Sequence, residues 1–405
     1  MASDKGDPFE DTMVHDSGVP YTHHNNSNGN ADGTAIPQRE VPFPGLLEFS
    51  AAYAKYHGYL AAVICIWAIA ANLANIVVLT RKHMLSSTNL ILTWLAVADL
   101  LTMTSYLPVS IHFYIMKDPR LEFPSTKSIH WIYFMLFHVN FTVVCHTVAI
   151  WLTITLAIFR YMYICYPTKG PTICSMERAK LAVGLTCLCV AIICIPNYLV
   201  NTKKTSSINE TVTIFNGSNF TQHIEEVKFY EFTYTKIAEP YLSKINYWIQ
   251  ALLIKLIPCT LLTLLTILLI VAMHQANQRR MKLKSQGKKA ESDRAGEHNR
   301  TTGMLLAVVA LFLLTELPQG ILTLCNIFIP GFFINVYWPL GDLLDMLAML
   351  NNSINFVLYC TMSRQFRDTF VDVFCKCCKT NSAAGWMKVK TVTVTANGAT
   401  TTSAV

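Results

Sequence analysis

The chain has 405 residues, of which 52% are hydrophobic and only 14% charged, with a formal net charge of +7. A soluble domain of this length carries about 25% charged residues, so the composition excludes an ordinary water-soluble enzyme or binding domain. The basic excess does not mark a nucleic-acid binder either, because lysines and arginines gather between and after apolar runs. Seven runs reach the roughly 20 mostly apolar residues that a membrane-crossing helix needs. They lie at about 57–80, 88–113, 131–163, 179–200, 245–274, 302–329 and 334–360.

Residues 1–56 form a polar tail rich in Asn, Gly, Asp and Pro, expected to be disordered. The opening MASDKGDPFE has no apolar h-region, so the first span is expected to act as its own insertion signal. His23 and His24 read as part of a solvated tail rather than as metal ligands. With the N-terminus outside, the inner segments 81–87, 162–180, 275–300 and 361–390 hold 19 Lys/Arg against 6 Asp/Glu. The outer segments 1–56, 115–130 and 201–245 hold 11 against 15, which is the orientation the positive-inside rule favours.

Asn-x-Ser/Thr triplets at Asn25, Asn209, Asn216 and Asn219 fall in outer segments and are glycosylation candidates. The same triplet at Asn140, Asn299 and Asn351 falls where glycosylation is implausible. Most of the 13 cysteines lie inside spans, where Cys behaves as a small hydrophobe. The loop 201–245 has none, so no external disulfide framework is legible. The segment 275–300 reads as a charged inner loop with helical extensions at both ends.

After the seventh span, RQFRDTFVDVFCKCC (364–378) repeats Phe366, Phe370 and Phe374 at four-residue spacing. It is expected to be an amphipathic helix lying in the membrane interface. Cys375, Cys377 and Cys378 are then juxtamembrane palmitoylation candidates, and a zinc site would need a fourth ligand that is not apparent. The tail turns Thr-, Ala- and Gly-rich and is expected to be disordered. Its end, Ser403-Ala404-Val405, resembles a ligand for PDZ domains. The expected fold is an all-α membrane protein: a seven-helix bundle over 57–361, an amphipathic eighth helix over 362–378 and a cytoplasmic tail over 379–405. No soluble catalytic domain or cofactor motif is present in this reading.

Polar residues inside membrane spans face the bundle interior or water and default to functional hypotheses. Asn72, Asp99, Arg160, Lys255, Glu316, Asp342, Asp345, Asn351, Asn352 and Asn355 are of this kind. The stretches AANLANIVVLTR (70–81), NLILTWLAVADLL (89–101), FRYMYICYP (159–167), LLTELPQGI (313–321) and NNSINFVLY (351–359) resemble the fingerprints of rhodopsin-like G-protein-coupled receptors, in order and in the right spans. RTTGMLLAVVALFLLTELPQGI (300–321) with DLLDMLAMLNNSINFVLYCTMSRQFRDTF (342–370) is closer still to invertebrate receptors for FMRFamide-like peptides, the myosuppressin and sex-peptide branch.

The resemblance implies roles by position. Asn72, Asp99 and Asn355 should meet through water in the core. Arg160 and Tyr161 fit the cytoplasmic switch that receives a G-protein helix, and Tyr359 completes the inner end of the seventh span. Pro318 allows a kink about which the inner half of span six swings, with Phe312 repacking; Pro258 kinks span five. Heterotrimeric G protein, arrestin and a kinase are the implied partners, at the plasma membrane. The departures are equally specific. Ala149 replaces a hydroxyl that helps hold sodium, Glu316 a tryptophan, Thr266 a tyrosine and Phe356 a proline. Met135 removes the usual disulfide to the second outer loop, leaving a flexible lid or one ordered by other contacts.

For the ligand, Asp342 and Asp345 share one face of the outer half of span seven. Glu316, Gln319, Gln250, His138 and His146 are further candidate contacts. An acid-rich vestibule suits a cationic ligand, and an amidated peptide ending in Arg-Phe offers a guanidinium without a terminal carboxylate. Trp131, Tyr133, Phe134 and Phe137 could line a slot for its ring. Two plainer readings stand beside this one: Glu316 pairs with Lys255 or His146 inside the bundle, and Asp342 serves the helix dipole. An opsin is disfavoured by Met349 at the Schiff-base position. A transporter would need inverted repeats, and an amine receptor an Asp in span three.

Phe159 stands where an acid usually precedes the arginine, and His298 where an acid usually faces it, so Arg160 is expected to lack its ionic restraint. Restoring an acid with Phe159→Asp should alter basal signalling; unchanged basal and evoked responses in a second-messenger assay would reject that restraint.

Overall fold

The computed structural model describes residues 43–116, 128–166, 168–216, 219–235, 241–285, 289–375, 394–396 and 399–401. Seven helices in it are long and apolar enough to cross a membrane: α1 (Pro44–Leu79), α2 (Ser87–Ile115), α3 (Ile129–Cys165), α4 (Met176–Val200), α5 (Tyr241–Ala276), α6 (Val309–Phe328) and α7 (Phe333–Thr361). α8 (Arg364–Phe374) follows. α1 starts well before residue 57, because Pro44 at its first turn needs no hydrogen bond there and the apolar run extends outward from the span. Helix continues beyond α5 to Ser285 and resumes at Lys289 ahead of α6, as the charged inner segment suggested.

α1 packs on α2 and α7, α2 and α3 on α4, α3 on α5, and α6 on both α5 and α7. The largest apolar core runs through Leu92, Leu95, Ile150, Leu152, Leu262, Phe312 and Tyr359. Serine side chains cap three helices at their first turn: Ser86 accepts from the Asn89 amide, Ser175 from Arg178 and Ser363 from Phe366.

α8 is fixed by aromatic packing. Phe366 is fully buried, 5.6 Å from Tyr359 and 6.0 Å from Phe356, and Phe370 lies 5.4 Å from Phe356 between ring centroids. Arg367 donates to the carbonyls of Cys360 and Thr361, both at 2.9 Å, and so closes the open end of α7. His83 and Gln365 join α8 to the turn after α1. Phe356 thus has a structural use where the family resemblance leads one to expect proline: it is the hub of this cluster, with Trp67 at 6.1 Å on its other side.

The mostly helical bundle carries a β-hairpin between α4 and α5. There β1 (Asn201–Asn216) and β2 (Asn219–Tyr234) pair antiparallel, from Asn201 opposite Tyr234 to Asn216 opposite Asn219. Four consecutive β-branched residues in TVTIF (211–215) and a Gly-Ser between the strands are the sequence signals for such a hairpin. A second, small hairpin, β3 (Val394–Ala396) with β4 (Ala399–Thr401), lies in the tail expected to be disordered.

The described cysteines are all free, so the hairpin is held otherwise. Asn140 on α3 accepts from Asn197 on α4 at 2.8 Å and from Asn201 at the start of β1 at 3.1 Å. Asn197 accepts in turn from Asn246 at 3.2 Å and Gln250 at 3.0 Å, both on α5. Lys203 reaches Tyr133 on α3 at 2.6 Å. Five amides therefore tie three helices and the hairpin together where a disulfide could have done so. A buried donor left without a partner costs about 1–3 kcal/mol. Asn140→Leu strands the Asn197 amide and leaves Asn201 only its bond to the Asn197 carbonyl, so it should lower the melting temperature and speed hydrogen exchange along β1 and α4; unchanged exchange in both would refute the network's role.

Candidate functional site

Two polar assemblies occupy the bundle at different depths. The outer one joins α7 to α2. Asp342 accepts from the Tyr114 hydroxyl at 2.8 Å, and Asp345 from Tyr106 at 3.2 Å. His57 on α1 backs both phenols, 3.2 Å from the Tyr106 hydroxyl and 4.7 Å from Tyr114 between ring centroids. The π-turn Ser110–Ile115 that ends α2 widens the helix there and carries Tyr114. Asp345 is exposed and Asp342 half-buried. Both carboxylates reach across to α2. Among the described residues neither acid has a cationic partner. Asp342 is not a first-turn acid of its helix, so the dipole reading gives way to the bond with Tyr114.

The deeper assembly is closed. The Lys255 ammonium on α5 lies 2.5 Å from the Glu316 carboxylate on α6 and 2.8 Å from the Gln319 carbonyl oxygen. His146 on α3 stands 3.2 Å from Glu316 and 3.4 Å from Lys255. Glu316 is 0% exposed and Lys255 9%. A second π-turn, Gln250–Leu256, lies immediately before Pro258 and contains Lys255, so the widened backbone carries the lysine toward α6. In this arrangement Glu316 is a partner of Lys255 and His146, not a carboxylate open to solvent. The plainer of its two sequence readings holds.

Three other candidate ligand contacts are similarly engaged. His138 is buried against Ser105 at 2.9 Å, Gln250 belongs to the amide network, and His146 belongs to the ion-pair cluster. The proposed aromatic slot is not assembled: Tyr133 and Phe137 are each 52% exposed. Trp131 stacks on His112 at 3.6 Å, with Phe134 edge-on to Trp131 at 5.7 Å.

Below His146 a small cavity, with room for about one water molecule, is lined by His146, Asp99, Phe312, Asn351, Asn352 and Asn355. Asn355 donates directly to Asp99 at 3.0 Å. Asn72 does not join that pair; it donates to the Asn352 carbonyl at 3.1 Å and accepts from Asn75 at 3.4 Å. Phe312 and Tyr359 are buried nearby in the apolar core, Pro318 sits inside α6, and Ala149 lines the cavity without a polar group. At the inner end Arg160 and Tyr161 are half-buried, and no described carboxylate pairs with Arg160.

Asn209, Asn216 and Asn219 lie on the outer hairpin, Asn216 and Asn219 as its last paired residues. Cys375 directly follows α8. Asn25, Cys377, Cys378 and the terminal Ser403-Ala404-Val405 lie outside the described residues, as does the side chain of His298. Tyr106, Tyr114 and His57 were not singled out in the sequence, nor were Asn197, Asn201 and Asn246. The first three resemble ordinary aromatic residues near a membrane interface. The asparagines of α4 and α5 could have been flagged as polar residues within or beside spans.

The family of serpentine type 7TM GPCR chemoreceptors, Srw, matches residues 59–377. The chain is 30% identical to the G-protein coupled receptor dmsr-1 of Caenorhabditis elegans, over 84% of this chain and 72% of that protein. It is 30% identical to the sex peptide receptor of Drosophila melanogaster, over 78% and 72%, and 23% identical to the FMRFamide receptor of the same fly, over 79% and 54%. Seven apolar helices, a polar core joining α2 to α7 and this family match lead to one conclusion: the chain is a membrane receptor of the seven-transmembrane G-protein-coupled receptor family, and not an enzyme.

Proposed function

We propose that the protein is a plasma-membrane receptor, N-terminus outside, that detects an amidated neuropeptide of the FMRFamide-like, myosuppressin or myoinhibitory type and activates heterotrimeric G protein. The observation that carries the ligand class is the acid pair Asp342 and Asp345. Two carboxylates three residues apart on α7, each bonded to a neutral phenol of α2 and neither ion-paired among the described residues, form a seat for a guanidinium. The sex peptide receptor and the FMRFamide receptor among its relatives support a peptide.

In this reading the peptide's arginine binds Asp345 and Asp342, and its amidated end avoids bringing a further negative charge to them. Gln319, half-buried one turn outward from Glu316, is the deepest side chain it reaches. Inside, α6 swings about Pro318 as Phe312 repacks, the Asp99–Asn355 pair and Tyr359 rearrange, and Arg160 and Tyr161 line the groove for the transducer. Asn25, Asn209, Asn216 and Asn219 carry glycans, and acyl chains on Cys375, Cys377 and Cys378 press α8 against the bilayer. Arrestin and a kinase act on the inner face, and a PDZ protein takes the C-terminus.

The test expresses the chain in cells and screens amidated peptides against their free acids by second-messenger readout; activity confined to substrates of transport, with no second-messenger response, would overturn the receptor reading. For an active Arg-containing peptide, loss of a charge-assisted hydrogen bond worth about 1.5–3 kcal/mol raises the EC50 of Asp345→Asn by about 10- to 100-fold. The same peptide with citrulline in place of arginine should lose far less on that substitution. Equal losses would reject the pairing.

A further inference from the structure

The ion pair between Lys255 and Glu316 is out of place as a stabilising device. Taking two charges from water into a closed, low-dielectric site costs about as much as their attraction returns, and two well-packed apolar side chains serve stability equally well. What the pair supplies is direction and reach: it joins α5 to α6 at one depth, and its strength falls as the helices part.

That depth is informative. Glu316 lies two residues before Pro318, where α6 lacks one backbone hydrogen bond, and Lys255 lies three residues before Pro258 in the π-turn of α5. Each end of the bridge therefore sits within one turn of a proline in its own helix. Gln319 holds the lysine from the outer side at 2.8 Å, and His146 holds the carboxylate from α3 at 3.2 Å, so three helices meet at the bridge. His146 also lines the cavity that reaches Asp99 and Asn355.

We propose that the Lys255–Glu316 pair is a latch: it holds α6 against α5 in the resting arrangement at the level of the Pro318 kink, in place of a bulky aromatic toggle, and its separation is a required step in the outward swing of α6. The inference rests on the reading that α6 swings about Pro318. Glu316, Lys255 and His146 act as positioning residues in it; none of them touches the transducer.

The experiment uses the full-length chain in nanodiscs, with spin labels placed through non-natural amino acids at the inner ends of α4 and α6, so that native cysteines are left alone. Distance distributions are recorded with and without the C-terminal helix peptides of the four Gα classes. Single variants strand a buried charge and can misfold, so the decisive variant replaces both partners together, Lys255→Met with Glu316→Met. The latch predicts that this receptor, without any peptide, populates the longer distance that the Gα peptide induces in the native chain. It also predicts that the exchanged pair, Lys255→Glu with Glu316→Lys, returns the distribution to the native one.

If the native chain shows the longer distance with a Gα peptide but the double-methionine variant rests at the native distance, the pair is only packing and the latch is wrong. Failure of the exchanged pair to differ from the double-methionine variant would have the same meaning. If no Gα peptide lengthens the distance in the native chain, both the latch and the swing of α6 fall.

Discussion

Hydrocarbon offers no partner to a polar group, so each polar side chain on a membrane-crossing helix must find its partner on another helix or line a cavity. That constraint orders this bundle. Asn355 of α7 donates to Asp99 of α2, Asn72 of α1 to the backbone of α7, Asn140 of α3 accepts from α4, and Lys255 of α5 meets Glu316 of α6. Every helix from α1 to α7 takes part in at least one such bond. Apolar packing alone would let the helices slide or rotate at small cost, since the lipid is as apolar as their surfaces. A hydrogen bond a few tenths of an ångström too long is lost, and so these few contacts fix rotation and depth.

The same constraint explains how the chain tolerates its departures from the receptor pattern. A disulfide between α3 and the outer loop would be covalent and insensitive to geometry elsewhere. The amide network that stands near that place depends on α3, α4, α5 and β1 being in position together. A proline in α7 would break one hydrogen bond, whereas Phe356 keeps the helix intact and spends its ring on seating α8. Where the resemblance leads one to expect a tryptophan, Glu316 instead pairs with Lys255 of α5. In each case a robust local device has been exchanged for one that works only in a correctly assembled bundle.

Much of this was visible in the sequence, and the rest was hidden for identifiable reasons. The seven spans are continuous in sequence, so hydropathy finds them, although α1 begins earlier than its apolar core. α8 was legible from its phenylalanine spacing. The partners of the polar residues were not, because Asp99 and Asn355 or Lys255 and Glu316 are brought together by the rotation of helices far apart in the chain. The π-turns that aim Tyr114 and Lys255 leave no composition signal, because one extra residue in a turn does not alter an apolar pattern. The long hairpin was hidden by its polar content, and at its base Asn201 and Lys203 tie it to α3.

Depth separates what the two acidic groups can do. Glu316 is already neutralised by Lys255 in a closed site, so a peptide's cation could reach it only by displacing a buried ammonium and by losing its own water there. Asp345 and Asp342 have no ion-pair partner among the described residues, and Asp345 is exposed, so a guanidinium bound there keeps part of its hydration. In the proposed receptor, binding and switching therefore belong to different helices: the acids that take the ligand sit on α7, bonded to α2, while the restraint to be released joins α5 to α6. α3 is the element that touches both regions, through His138 below Ser105 and Tyr106 and through His146 beside Glu316. Two histidines spaced eight residues apart lie about 12 Å apart along the helix axis, which is the distance a small outer displacement must be carried, and a rigid helix carries it without needing any chain of intermediate contacts.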